Sequence, residues 1–415
     1  MSGGILAGVS SPTATIADQG TLAATGSRKA LAGFFISGLL LSFLGAILPS
    51  WRHHLFAEYG TISWYFLGLI AGILASVWVS PPLLDRKGIG WTLAFACAIA
   101  SAALLYLAFV SPPYSPWYRV GGLVVIGLSA GILHTAIFHA ISPMYRHDPA
   151  ATINMAGILF GLGCLTVALL VSGTFYAYSA PAIQTWIAVI PALFGWFYVR
   201  AKFTAQPIPV HPPLNAILGE LRSPGAILFS LLLFFQFGNE WAIAGWLPLF
   251  LSQRLGISPA TSLLMLAVYW AALLVGRIVA QWVLPRVSHA KLLVLSVAGA
   301  IFGCVIMLST ETRFGAVSGI LLLGGAFAPI YPLLVEKIGG RFPYYHPGFY
   351  NGIFSFAITG GLLAPWTLGY FTAAWGIQAV MIIPLFGTCM VFLLVLLIML
   401  EAKLSGLAEI KEAGS

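Results

Sequence analysis

Charge is what this chain has least of. Asp, Glu, Lys and Arg make up 7% of its 415 residues, against 60% apolar residues, and the mean hydropathy is +0.97. Such a balance excludes the two or three soluble domains that the length alone would suggest and describes a polytopic membrane protein. Cysteine is equally sparse. Cys97, Cys164, Cys304 and Cys389 lie far apart inside apolar runs, with no CxxC and no His/Cys ligand spacing. They are read as inert core residues, and neither a metal centre nor a cofactor is expected. No HExxH, no GxSxG and no clustered acid–histidine set occurs in the apolar runs, so the chain is not read as an enzyme. The net charge of +8 comes without a dense Lys/Arg block or basic aromatic patch, so nucleic acid is not an expected partner. Residues 1–29 are rich in Gly, Ala, Ser and Thr without an apolar core and read as a flexible cytoplasmic tail, not a cleaved signal.

What is present is long apolar sequence. Twelve candidate spans lie at about 30–50, 61–82, 91–110, 118–141, 151–173, 181–200, 225–251, 260–284, 290–309, 314–338, 347–372 and 377–401. With the chain starting inside, fourteen Lys and Arg fall in segments on the cytoplasmic side. Four (Arg52, Arg119, Arg254 and Arg313) fall on the other. That asymmetry places both termini in the cytoplasm of a plasma or bacterial inner membrane. The connection 201–224 holds Pro207, Pro209, Pro212, Pro213 and Pro224 and reads as a semi-rigid cytoplasmic linker. It separates a bundle at 30–200 from a second at 225–402, with a cytoplasmic tail at 403–415. The halves repeat weakly at a period near 197 residues: Asn154, Gly163 and Leu165 line up on Asn351, Gly360 and Leu362, and Gly127 on Gly324. The expected fold is all-α, with twelve transmembrane helices in two pseudo-symmetric six-helix bundles. Such a repeat marks an alternating-access carrier with its site near mid-membrane.

The seventh span carries the anomaly. It reads Gln236-Phe237-Gly238-Asn239-Glu240-Trp241, with polar groups where an anchor would carry Leu or Val. Glu240 lies about 15 residues, hence roughly 22 Å, into its helix. An ionisable group there costs a few kcal/mol unless it faces protein or water, so it reads as functional. A protonated Glu packed between helices is the plainer alternative. Gln236, Asn239 and Glu240 are spaced i, i+3, i+4 and are expected on one face. Arg277 is the other charge inside a span, roughly 12 Å deep.

The turn Pro81-Pro82-Leu83-Leu84-Asp85-Arg86-Lys87-Gly88 resembles the G-x-x-x-D-R-x-G-R signature of the major facilitator superfamily, with Pro81 in place of the first Gly and Ile89-Gly90 in place of the basic pair. The resemblance covers about residues 28–403. It implies that Asp85 and Arg86, with Arg277, form a conformational latch made and broken as the halves move. A narrower likeness is to the fucose:proton symporter type of sugar porters. It rests on Gly238-Asn239-Glu240 with Gly245-Trp246, on Trp270 with Gly276-Arg277, on Asn154 with Phe160-Gly161-Leu162-Gly163, and on Ala328-Pro329-Ile330-Tyr331-Pro332. That likeness implies a monosaccharide or similar polyol. The group's acidic residue on the first helix is missing here. His134 falls near the position where the fourth helix often has Asp and is the second proton-coupling candidate beside Glu240.

A sugar needs amides and carboxylates for its hydroxyls and aromatic rings for its C–H face. Gln236, Asn239, Glu240 and Asn351 supply the polar set. Trp241, Trp270, Tyr331 and Trp366 supply the rings, with Trp246 and Tyr269 as further candidates. The expected partners are a small hydrophilic solute, a coupling proton (sodium being the alternative) and the lipid bilayer, with the chain a monomer. Symport of a monosaccharide stands against a proton-linked exporter of amphiphiles and an uncoupled facilitator.

Overall fold

The computed structural model describes residues 26–55, 58–147, 149–203, 223–341 and 347–413. Every regular element among them is a helix, as lipid demands of a backbone that cannot hydrogen-bond to water. The helices are α1 (Gly26–Ile47), α2 and α3 (the two rods 59–87 and 89–109 of the element Tyr59–Phe109), α4 (Pro116–His147), α5 (Pro149–Thr174) and α6 (Ala180–Arg200). The second set is α7 (Pro224–Leu255), α8 (Pro259–Val283), α9 (His289–Ser309), α10a (Arg313–Phe327) with α10b (Ile330–Arg341), α11 (Pro347–Trp375) and α12 (Ala379–Ala413). Ten helices are long and apolar enough to cross a membrane, counting α2–α3 as one element and without α11. Splitting that pair and adding α11 is consistent with the twelve expected spans.

Two chain breaks have simple causes. Gly88 takes φ 78° and ψ 173°, a conformation that only glycine adopts without strain, and there the chain doubles back from α2 into α3. Pro329 and Pro332 withhold two backbone donors, and α10 breaks between them and Phe327. The tail expected at 1–29 differs at its end, because helix already begins at Gly26. The C-terminal segment expected as a tail from residue 403 continues α12 to Ala413. The tail to residue 25 and the linker from 204 to 222 lie outside the described residues.

The packing repeats. In the first half α1 packs on α5, α2 on α4 and α3 on α6; in the second α7 packs on α11, α8 on α10a and α9 on α12. The halves meet through α5–α8, α2–α11 and α1–α7. The repeated glycines show why. A Cβ at Gly163 would run into the Phe35 carbonyl of α1, and one at Gly360 into the Phe234 carbonyl of α7. Likewise Gly127 lies on the Leu69 carbonyl of α2, and Gly324 on the Tyr269 carbonyl of α8. Each pair lets two backbones touch at the matching point of its bundle, the contact that drives helix association in lipid.

Candidate functional site

The site is set by α7. Ser223 Oγ accepts the Ala226 amide at 3.3 Å, Pro224 follows at N1, and Gly256 ends the helix at φ 60°. Between these caps Glu240 sits near the middle of 32 residues, roughly 24 Å along. The i, i+4 spacing brings Gln236 Nε2 to donate to Glu240 Oε1 at 2.8 Å. Gln236 is fully buried, and its Oε1 has no protein partner. Asn239 turns the other way. Its Nδ2 donates to Thr388 Oγ1 of α12 at 3.2 Å, and a Cβ at Gly387 would meet its Oδ1. The expected single face therefore resolves into a Gln236–Glu240 pair and an amide that ties α7 to α12.

Arg277 approaches from α8. It and Glu240 interact electrostatically, and Arg277 also feels Tyr331 and Tyr269. It makes no ion pair with Glu240 within 4 Å. Its guanidinium lies against Gly157 of α5, where any Cβ would overlap Nη1. Arg277 thus touches the other half of the molecule, but not Asp85 or Arg86. Those two are exposed at the α2–α3 turn without an ion pair among the described residues. The three expected latch residues are not brought together.

Aromatic rings follow the pair along α7 and pack on neighbouring helices. Trp241 meets Phe160 of α5 edge-on at 5.7 Å and Trp270 of α8 at 6.4 Å. Tyr331, placed by the α10 break, packs on Phe237 at 5.1 Å. Tyr269 Oη and Trp270 Nε1 are buried without a protein partner. Each is a hydrogen-bonding group still owed one. Trp366 lies further along α11, its Nε1 also unpartnered and its carbonyl accepting from Ser63 Oγ at 2.8 Å. Asn351 is on α11, with its side chain outside the described residues. His134 belongs to the first half, where its Nε2 hydrogen-bonds Ser37 Oγ of α1 at 2.7 Å between Phe34 and Phe138. Two apolar crevices open on the outer surface, one beside Leu231 and Phe356 and one beside Leu193 and Trp196, and neither includes these polar groups.

The end of the bundle away from both termini is stitched shut. Tyr59 Oη donates to Gln253 Oε1 at 2.7 Å, Ser172 Oγ to the Ala260 carbonyl at 2.8 Å, and the fully buried Trp246 stacks on Phe66 at 6.1 Å. Trp246 also donates to the Pro365 carbonyl at 2.9 Å, which places it in this seam and not beside Glu240. The sequence reading missed one charge here. Arg119, counted with the loops, is 4% exposed. Its Nε donates to Tyr65 Oη at 2.8 Å, and its guanidinium lies over the Trp51 and Tyr65 rings at 5.4 and 5.6 Å. The available signal was its place in the first turn of a span, flanked by aromatic residues on two other segments.

Two six-helix bundles, related by the same packing pairs and holding a buried polar pair at mid-depth, define a carrier that alternates access between two sides of a membrane. The profile of the Major Facilitator Superfamily matches residues 30–365, and the chain belongs to that superfamily. It is 22% identical over 317 residues to the glucose/mannose transporter GlcP of Bacillus subtilis (strain 168), covering 72% of this chain and 76% of that protein. Among solved structures it is similar to the nucleoside transporter NupG (TM-score 0.65, 16% identity, 89% of this chain and 99% of that one). It is likewise similar to the E. coli fucose:proton symporter FucP (TM-score 0.59, 16% identity, 91% and 99%). At these identities the structures speak for the fold. The chain is a multi-pass membrane transporter.

Proposed function

We propose that this transporter moves a monosaccharide-sized hydrophilic solute by alternating access coupled to protons, in a plasma or inner membrane with both termini cytoplasmic. The observation that carries this reading is the Gln236–Glu240 pair, hydrogen-bonded at mid-depth of α7, next in the chain to Trp241, whose ring meets Trp270. Its amide and carboxylate suit vicinal hydroxyls, and the indole rings suit a C–H face. GlcP is a glucose/mannose transporter and FucP a fucose:proton symporter, and both support the same class. In this reading the stitched end, opposite the basic segments, is the outer gate in its closed position.

Glu240 is the proton carrier in this reading. Its proton enters with the solute and lets the loaded carrier close; ionised, with Arg277 in electrostatic reach, it lets the empty carrier return. His134 is packed between Phe34 and Phe138, whereas Glu240 has Arg277 in electrostatic reach, which favours Glu240 over it. The test is uptake of labelled hexoses into proteoliposomes with and without an inwardly acid pH gradient, for the wild type and Glu240→Gln. Loss of concentrative uptake with retained exchange is expected. Full accumulation with an unchanged pH profile rejects the proton role.

A further inference from the structure

Arg277 is the feature that a neutral sugar leaves unexplained. It is half-buried, its Nε is buried without a partner, and no carboxylate among the described residues lies within 4 Å of it. Glu240, the nearest candidate, spends its Oε1 on Gln236. A guanidinium is a planar fork of five donors that fits a carboxylate in two parallel bonds. Its seat is tight. Gly157 leaves room for Nη1, and Asn154, one turn earlier on the same face of α5, is half-buried beside it.

We infer that the solute is a sugar acid with one carboxylate, that Arg277 receives that carboxylate, and that a proton enters on Glu240 in the same cycle. The inference rests on the reading of this site as a proton-coupled sugar site and narrows its substrate class. Charge counting carries it. The empty site holds Glu240 as −1 and Arg277 as +1 and is neutral. With a neutral sugar and a proton on Glu240 the occluded site would be +1, a charge at mid-membrane that is costly to carry across. With a carboxylate and a proton it is neutral again. Proton alone leaves +1 and carboxylate alone −1, so both half-loaded carriers are held back, and the two cargoes move together. One cation matches one negative charge, which disfavours a phosphate dianion.

The groups in electrostatic reach of this pair are Tyr269 on α8, Tyr331 on α10b and Cys164 on α5. By sequence α5 and α11 carry no Asp, Glu, Lys or Arg, and α1 and α12 carry theirs at the cytoplasmic end (Arg28, Lys29; Glu401, Lys403 and beyond). None of these adds a second charge at mid-depth. The ring walls and the free Gln236 Oε1 remain for the hydroxylated body of the molecule.

The experiment uses the full-length protein in proteoliposomes, with labelled glucuronate, galacturonate and glucose, an imposed pH gradient, and a membrane potential set by potassium and valinomycin. The expected result is hexuronate uptake driven by outside acid and changed less than about twofold by the potential, since the loaded carrier is neutral. Arg277→Gln lowers it more than about tenfold, and Arg277→Lys restores part of it, lacking the two-pronged fit. Glu240→Gln keeps hexuronate exchange but loses net uptake, because its empty site is +1. Arg277→Gln protein is checked for an unchanged unfolding temperature; if it unfolds early, the potential dependence of the wild type decides alone. Potential-driven glucose uptake with no hexuronate uptake overturns the sugar-acid inference and leaves the sugar-transport reading standing. Uptake of neither class overturns both.

Discussion

The two halves share a scaffold and differ in what they put at its centre. Around α1, α4 and α5, His134 pairs with Ser37 and Cys164 Sγ with the Gly38 carbonyl at 3.3 Å, while Ser42 Oγ of α1 stays buried without a partner. Around α7 and α8, Gln236, Tyr269, Trp270 and Arg277 all keep a buried polar atom without a protein partner. Unpaired polar groups in a membrane interior are expensive; the first half bears that cost at scattered positions (Ser42, Trp51, Gln184), and the second gathers it on α7 and α8 around a carboxylate and a guanidinium. In the proposed reading the second half recognises the solute and the first rocks against it. Arg119, by contrast, has its charge settled locally, with Nε on Tyr65 Oη and the guanidinium over the Trp51 and Tyr65 rings.

The comparison can be broken at several points. Glu240→Gln should show the largest effect, lowering net uptake roughly a hundredfold, a factor that a little under 3 kcal/mol supplies, and abolishing its acid dependence. Proteoliposome uptake across a pH series checks this. Next come the matched glycines. Gly163→Leu and Gly360→Leu should each destabilise by about 1–3 kcal/mol through overpacking, by similar amounts because each meets a carbonyl at the same point of its bundle. Thermal unfolding in detergent compares them, and a loss confined to one would dissolve the symmetry. Trp241→Ala should raise KM for exchange up to about tenfold with little change in kcat, since a ring contact is worth about 0.5–1.5 kcal/mol beyond its area. Asn239→Ala should cost about 0.6 kcal/mol of stability, typical of an interhelical hydrogen bond, with KM unchanged. Gln236→Ala should instead raise KM. Smallest of all is His134→Gln, expected to leave the pH profile of uptake in place; a flattened profile would move proton coupling into the first half.

Much of the fold was legible because lipid permits few solutions. Uninterrupted apolar runs become helices, Gly88 and Pro329 mark breaks, and Gly127 and Gly324 announced a repeat before their carbonyl contacts were seen. The Gln236–Glu240 bond was equally legible, since one helix sets it. Asn239 was not. At about 100° per residue it stands about 60° from Gln236 on the side away from Glu240, and whether that direction meets solute or α12 depends on a neighbour the local spacing does not name. Arg277 was harder still, because its seat on Gly157 joins residues of two halves. The Arg119 cage draws on three separate segments, and no local pattern reveals it.

The central claim is that Glu240 opens onto water shared by both bundles. It is tested most directly with Glu240→Cys in a chain whose four native cysteines are replaced. A charged methanethiosulfonate too polar to cross the membrane is added from each side in turn, with and without a saturating hexose or hexuronate. The account predicts labelling from the cytoplasmic side that the sugar slows. No labelling from either side, or labelling indifferent to every sugar offered, would contradict it.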